Sequence, residues 1–435
     1  MKKLIALLLA LVMVVGLVAC GAKQEAAAPA AKEEAAAPAA KEEAPAANEV
    51  VLTWGVYETD NLTAEMYQTI IDAFEADHPG IKIEKMLAVG DSRVAFWKTQ
   101  YQSGNFPDVV FSEGSLNATE GLFAEMPADI KDLFEEGALS TNYGKYTAIP
   151  LAKQLRMQCY YNKADFEAIG ASEPTTYAEF LDICQKLKDA GKVPMICGGT
   201  GDVWATGAPW WISIVNSTIV EAYPNFNEQL LAGEVKWDDP VIVAALEQWQ
   251  NDMINAGYYY EGSMSYSYSQ AAAEFQNGAA SMMIDGSWAA AGFDAAGSTD
   301  FGVFAVPHPD GLKTYPADVT TMGVYADSEC LDAAWTFVKW FYENEETYAL
   351  YLAADGLQST TKTPVTYPQG EVMDKFIANL SDSTLITEVL LAKGEYAPPA
   401  GMEDECNKIL QNVFIGKDVK TELEALQVQF EMIKE

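Results

Sequence analysis

Apolar and polar positions along this chain follow two rhythms, one of short continuous runs and one of helical spacing, and their alternation predicts the elements. Residues 50–54 form a short apolar run of the kind that makes a buried strand. Over residues 64–76 the apolar positions Met66, Ile70, Ile71 and Phe74 share one helical face. Pro79-Gly80 marks a turn, after which residues 81–83 begin a second strand, and residues 109–111 form a third. Thr176-Tyr177-Ala178-Glu179 reads as a capping box, the threonine hydroxyl accepting the Glu179 amide while the glutamate reaches back. The helix behind it turns Phe180, Leu181, Cys184 and Leu187 inward. Asp239-Pro240 opens another helix with Gly257 as its stop. Ser328 opens a fourth, its inward face Leu331, Ala334, Trp335, Val338 and Phe341. Strands interleaved with amphipathic helices predict an α/β fold whose sheets are covered on both faces.

The N-terminus has a different pattern. Lys2 and Lys3 precede an uncharged apolar run at residues 4–18. At about fifteen residues it is short for a membrane span, which needs ~20, and right for the h-region of a signal peptide. It ends in Leu17-Val18-Ala19-Cys20-Gly21, which resembles the lipobox of bacterial lipoproteins. That resemblance implies acylation of the Cys20 thiol and cleavage just before it, with residues 1–19 as the lipoprotein signal peptide. An ordinary signal peptide with an incidental cysteine is the alternative. Residues 20–49 then carry the lipidated cysteine and a spacer of Ala, Pro, Lys and Glu, in which the sequence AAAPAAKEE at 26–34 recurs at 35–43. With no large apolar residue to bury, the spacer cannot offset its own chain entropy, and Pro29, Pro38 and Pro45 interrupt any helix. It is read as a semi-stiff tether.

The remaining body is long enough for two domains of ordinary size. The full chain carries a formal charge of −36, which becomes two units more negative once Lys2 and Lys3 are removed. Such a protein repels phosphate backbones and anionic headgroups, so nucleic acid is excluded and a neutral or cationic ligand fits better. The same charge also keeps an exposed protein soluble without any ligand. Of six cysteines Cys20 is used by the lipid, and the odd number left cannot all pair. Cys159, Cys184 and Cys197 read as buried thiols acting as small hydrophobes, and no CxxC pair points to a metal or redox centre. Only two histidines occur, His78 and His308, both before prolines. No nucleophile elbow or HExxH motif is present, so no enzyme, cofactor or metal is expected. Paired carboxylates for glycoside hydrolysis remain open in so acidic a chain. Gly198-Gly199-Thr200-Gly201 lacks the Gly-Lys-Ser/Thr of a phosphate cradle and is read as a plain loop.

Five runs taken in order resemble the extracellular solute-binding proteins of ABC sugar importers, the family of maltose-binding protein. They are Phe74-Glu75-Ala76-Asp77-His78-Pro79-Gly80-Ile81-Lys82-Ile83; Ser103-Gly104-Asn105-Phe106-Pro107-Asp108-Val109-Val110; and Tyr160-Tyr161-Asn162-Lys163 followed by Pro174-Thr175-Thr176-Tyr177-Ala178-Glu179. Phe275-Gln276-Asn277-Gly278 running on to Asp285-Gly286-Ser287-Trp288, and the helix at 332–342, complete the set. The last seventy or so residues match loosely. The resemblance implies a two-lobed periplasmic-binding-protein type II fold with an interdomain ligand cleft. The N-terminal lobe would take residues 50–154 plus 319–355 and the C-terminal lobe 155–318 plus 356–435, with crossings near 154, 318 and 356. It implies a lipid-anchored monomer at the outer face of the cytoplasmic membrane, in a cell without an outer membrane. There it would capture a sugar, an oligosaccharide by preference, for the permease subunits of an ABC importer. The same fold binding a peptide or polyamine, and a glycan-acting enzyme, are the alternatives.

Sugars need planar hydrogen-bonding groups for their hydroxyls and rigid aromatic faces for their ring C–H patches. Trp288, at the end of an apolar run after Asp285-Gly286-Ser287, matches the family's stacking tryptophan. Asp202 and Trp204 resemble an acid-x-aromatic pair used for ligand. Glu113, Trp54, Tyr57 and Glu58 follow or end strands where the family contacts ligand. Gln154 falls near a position that is acidic in maltose-binding protein, and Asp285, Asp318 and Trp210 complete the candidate set. A core role is the alternative for Trp288, a plain loop the alternative for Asp202 and Trp204, and packing is the main reading for Trp210.

Overall fold

The computed structural model describes residues 49–90, 93–112, 114–117, 119–201, 203–399 and 401–434. Residues 1–48, with the expected signal peptide, Cys20 and all but the last residue of the expected spacer, lie outside the described residues, as do Glu113 and Asp202. Nine strands are described: β1 Val50–Val56, β2 Ile81–Leu87, β3 Val109–Ser112, β4 Ile149–Leu155, β5 Gln158–Asn162, β6 Met282–Asp285, β7 Phe301–Phe304, β8 Thr314–Val324 and β9 Thr384–Ile386.

They form two sheets. The larger has the order β2-β1-β3-β8-β4, with β9 pairing the start of β8. β1 lies between β2 and β3, parallel to both, which its unbroken apolar run suits. A parallel pair needs a crossover, and the helix Ala64–Asp77 supplies the one between β1 and β2, burying Met66, Ile70, Ile71 and Phe74. Leu52, Trp54 and Val56 join Phe74, Phe111, Met322, Phe337 and Phe341 in the core of this lobe. The smaller sheet, β6-β5-β7, is antiparallel throughout. Side chains along its strands alternate between two clusters. Cys159, Met282, Ile284 and Phe304 pack with Phe180, Trp210 and Trp249 on one face. Tyr160, Met283, Phe301 and Val303 pack with Phe275, Phe293 and Phe376 on the other. Period-two alternation between two apolar clusters is what a sheet covered on both faces requires.

Two strands join the lobes. In β4, Ala152 belongs to the core under the larger sheet and Leu155 to a cluster on the smaller one. In β8, Met322 and Tyr315 divide in the same way. These strands pair antiparallel, with Gln154 opposite Asp318 between the two cores. Further along, Leu357, Val365 and Tyr367 pack on the larger-sheet core and Val372 on the smaller-sheet side.

The capping box at Thr176 forms, with Glu179 N–H donating to Thr176 Oγ1 at 3.2 Å and Thr176 N–H donating to Glu179 at 3.1 Å. Asp239 caps the helix that starts at Pro240, and Gly257 sits at φ +67. The helix expected to open at Ser328 begins instead at Leu331. Ser328 Oγ donates to Asp108 Oδ1 at 2.7 Å and accepts from Cys330 N–H at 3.1 Å, so its hydroxyl is spent on a turn rather than on a cap. Of the expected inward face, Ala334, Val338 and Phe341 are buried. Phe337, Trp340 and Tyr342 are buried, whereas Leu331 and Trp335 are only partly so. Cys159, Cys184, Cys197 and Cys406 are buried free thiols, and Cys330 is free and partly exposed. Among the described residues no helix is long and apolar enough to cross a membrane.

Gly207 shows how tightly the smaller-sheet lobe is packed. It lies where the helix Trp204–Trp210 meets the helix Met402–Phe414, and an added Cβ would sit 2.4 Å from Leu410 Cβ. Alanine favours a helix over glycine by ~1 kcal/mol, while forcing a methyl into a filled core costs ~1–3 kcal/mol. Leu410 Cβ is fixed to its backbone and cannot swing away, so the steric cost dominates. Gly207→Ala is expected to lower the unfolding free energy in urea by roughly 1–2 kcal/mol. Unchanged or raised stability would show that the two helices have room to part.

Candidate functional site

A cavity of about 880 Å³ opens between the two cores, within the range of small-ligand sites. One wall is aromatic and comes from the smaller-sheet lobe. Its three rings, Trp204, Tyr268 and Trp288, each stand at the start of a helix: Trp204–Trp210, Tyr268–Gln276 and Ser287–Ala295. A helix start is where the chain turns out of a strand or loop, so a ring placed there faces the cleft rather than a neighbouring element. The Trp204 and Tyr268 ring centroids are 4.9 Å apart, and Trp288 meets Trp204 edge-on at 6.1 Å. The glycine loop ahead of Trp204 exists for close approach: a Cβ on Gly199 would lie 2.5 Å from Met264 Cα.

A hydrogen-bond chain sets the orientation of these rings. Trp288 Nε1–H donates to Tyr268 Oη at 2.7 Å, and Tyr268 O–H donates to Asp285 Oδ2 at 2.9 Å. Gly286 N–H donates to Asp285 Oδ1 at 2.9 Å. Asp285 is buried, and burial pushes its carboxyl up to about 7 against the pull of these donors. Gly286 keeps space for the tryptophan, since a Cβ there would lie 2.2 Å from Trp288 Cζ3. Its φ of −89° is open to any residue, so glycine is required here by the ring and not by the backbone.

The floor is polar and lies at the strand crossing. Arg156, in the turn between β4 and β5, donates to Gln154 Oε1 at 2.8 Å and to Glu388 Oε2 at 3.3 Å, and its Nε is 3.4 Å from Asp318 Oδ2. Glu388 N–H reaches Asp318 Oδ1 at 3.4 Å. Burial raises both Asp318 and Glu388 above the ordinary carboxylate range, and Arg156 opposes it. The Lys393 ammonium donates to the Val319 carbonyl. Burial brings it down to about 8, partly offset by Asp318.

The far rim comes from the larger-sheet lobe. Tyr57 and Glu58 follow β1, the Arg93 guanidinium sits 4.0 Å over the Tyr57 ring, and Lys85 pairs with Glu58. Two contacts cross from this rim to the tryptophan helix: Asn61 Nδ2–H donates to the Trp288 carbonyl at 3.0 Å, and Ser287 O–H to the Asp355 carbonyl at 3.4 Å. Burial pushes the Asp355 carboxyl up to about 6, with Asn61 and Arg93 pulling it down.

Of the residues singled out by sequence, Trp288, Trp204, Tyr57, Glu58, Gln154, Asp285 and Asp318 line this one cavity. Trp54 does not. It shares a face of β1 with Leu52 and Val56 and is fully buried, edge-on to Tyr67, Phe111 and Phe337. Strand alternation, which sends Trp54 into the core, explains the difference. Trp210 is also core, among Tyr177, Phe180 and Trp249, while Trp204, Ala208 and Ile212 of the same segment line the cavity at helical spacing. Glu113 and Asp202 lie outside the described residues. Sequence reading missed Asn61, Arg93, Arg156, Tyr268, Asp355, Glu388 and Lys393. Tyr268 had a usable signal, the Ser267-x-x-Gln270 capping box that marks the helix start it occupies. Glu388 and Lys393 had none, because they lie in a tail whose place is set by packing.

The model of the family described as bacterial extracellular solute-binding protein matches residues 59–348. An uncharacterized ABC transporter extracellular-binding protein of Pyrococcus horikoshii is 25% identical over 377 residues, covering 82% of this chain and 81% of the relative. A multiple sugar-binding protein of Streptococcus mutans is 25% identical over 290 residues, covering 62% and 66%. Among solved structures a chitin oligosaccharide binding protein superposes with a TM-score of 0.74 at 21% identity, covering 89% of this chain and 99% of the other. This likeness bears on the fold: the architecture is the two-lobed type II arrangement.

The buried carboxyl of Asp285 makes stability depend on pH. Its folded value, about 7, lies above the ordinary value of 3.8, so between these the folded state holds a proton that the unfolded chain has released. The resulting stabilisation is complete below 3.8 and is lost as pH rises through about 7; Asp355 acts the same way up to about 6. The ligand-free protein is therefore expected to melt at progressively lower temperature from pH 5 to pH 8. Asp285→Asn, which cannot titrate, should flatten that slope. An equal slope in wild type and variant would show that Asp285 ionises normally.

Proposed function

The chain belongs to the bacterial extracellular solute-binding proteins, and within that family we propose that it is a sugar receptor that captures an oligosaccharide for an ABC importer. The observation that carries this reading is the wall of Trp204, Tyr268 and Trp288 on one side of the cavity, with carboxylates, an amide and hydroxyls on the others. Rigid aromatic faces suit the C–H face of a pyranose, and planar acceptors suit its hydroxyls. The sugar-binding names of the Streptococcus mutans relative and of the chitin oligosaccharide binding protein support it.

The mechanism is capture without chemistry. Sugar enters the cleft, stacks on Trp288 and reaches Asp318, Gln154 and Glu58 from the other side. A ligand favours closure only through contacts it makes with both lobes. Here the crossing strands β4 and β8 act as the hinge. The closed monomer docks on the permease subunits, and the ATPase that drives transport is a separate chain. Acylation of Cys20 holds the receptor at the outer face of the cytoplasmic membrane, and the spacer lets the body stand away from it.

Titration calorimetry against a panel of neutral oligosaccharides tests the receptor. At one hundred times Kd a true ligand stabilises the fold by ~2.7 kcal/mol, so a thermal-shift screen finds it first. Trp288→Ala should then weaken binding by roughly 2–3 kcal/mol, about 30–150-fold. Gly286→Ala should weaken it too by displacing the ring. Shifts with peptides or polyamines but with no sugar would replace this reading by the alternative, and product formation from any sugar would make the protein an enzyme. The anchor is tested separately: metabolic labelling with a clickable fatty acid should mark the wild type, and label that persists in Cys20→Ala would place the lipid elsewhere.

A further inference from the structure

The charges around the cavity are unequal in number and in what they are free to do. Among the described residues that line it, seven carry carboxylates and three carry cations. Each cation already serves a protein group. Arg156 is held by Gln154, Asp318 and Glu388. Lys393 donates to the Val319 carbonyl and lies in the field of Asp318. Arg93 lies over the Tyr57 ring and in the field of Asp355. Drawing Arg156 onto a ligand would strip Asp318 and Glu388, both buried, of their counter-charge. Leaving a buried charge unmatched is far more costly than a hydrogen bond to solvent.

The carboxylates stand differently. Asp285 accepts from neutral donors, Tyr268, Trp288 and the Gly286 amide. Asp60 is exposed on the rim, and Glu58, also on the rim, pairs with Lys85. The Asp355 charge already adds to the cost of ionising Asp285. The aromatic wall adds to this, because the face of an indole or phenol attracts cations and not anions. The full chain, at −36, repels anions before they reach the mouth.

Resting on the sugar-receptor reading, we propose that this cleft selects its saccharide by charge, taking uncharged or amine-bearing sugars and rejecting those that carry a carboxylate, sulfate or phosphate. The rejection is built from repulsion, one of the two routes to specificity, the other being better contacts to the preferred ligand. A hydroxyl can donate to any of these carboxylates, and an ammonium can do so with charge assistance. A carboxylate placed at the same point meets like charge, and besides the committed cations the donors around it are neutral hydroxyls and amides such as Ser269, Gln276 and Asn407.

The test compares two derivatives of the neutral oligosaccharide that gives the largest thermal shift in a panel that also holds trigalacturonate and a sugar phosphate. One derivative has its C6 alcohol oxidised to the carboxylate, and the other has it replaced by an amine. The two are close in size and opposite in charge, so a steric loss strikes both. Calorimetry on the mature chain at pH 7 should place the amine within about threefold of the parent, or tighter, and the carboxylate at least about thirtyfold weaker. Equal affinity for carboxylate and amine, or an equal loss in both, would overturn charge selection while leaving the receptor intact. So would a panel whose best ligand is trigalacturonate or the sugar phosphate. A panel in which no saccharide binds would overturn the receptor reading and this proposal with it.

Discussion

A guanidinium placed where two hydrophobic cores meet has to be matched by acceptors, because taking a charge out of water costs several kcal/mol if nothing pairs with it. Arg156 occupies that position, with 15% of its side-chain surface exposed. It binds Gln154 on one crossing strand, Asp318 on the other, and Glu388 from the C-terminal segment. Three parts of the chain far apart in sequence are thereby tied at the strand crossing. The rest of the site depends on that knot. It sets the floor of the cavity, fixes the register of Gln154 against Asp318, and brings the segment carrying Glu388 and Lys393 beside β8.

The aromatic wall is supported by a second, smaller network. Tyr268 stands between Trp288 and Asp285, accepting from one and donating to the other. Its hydroxyl is thus used twice, and its ring lies against Trp204. Removing the carboxylate would leave that hydroxyl without its acceptor, and Asp285 also accepts from Trp288, so the orientation of Trp288 depends on this carboxylate. Asn61 adds a contact from the opposite lobe to the Trp288 carbonyl. The ring that carries the proposed stacking is therefore held from its own lobe by Tyr268 and Gly286, and from across the cleft by a rim loop.

These two networks divide the work in a way that fits a receptor. Paired charges at the crossing hold the lobes to a common axis without filling the cleft. Neutral donors and aromatic faces line the space where a ligand would sit. The asymmetry between carboxylates and committed cations comes directly from this arrangement, since every cation near the cavity is needed to neutralise the crossing or the rim.

Much of the fold was legible in the sequence because it rests on local physics. Apolar periodicity and the Thr176 and Asp239 caps mark where helices begin. Tyr57, Trp204 and Trp288 could be placed at the cavity from the family resemblance and from their positions at or after apolar runs. Strand periodicity also held the sign that Trp54 is core, but which face of β1 is buried depends on the helices that cover it, and these come from distant parts of the chain. Ser328 looked like a helix cap until Asp108, 220 residues away, took its hydroxyl. Arg156, Glu388 and Lys393 carry no local signal at all: a charged residue in a turn is ordinarily solvated, and only the return of the C-terminal segment buries these together. The sequence by itself determined an α/β chain with an export-type leader pattern, a spacer and an acidic body. Tertiary structure alone decided which charges meet at the crossing, because long-range packing sets where each charge loses its water.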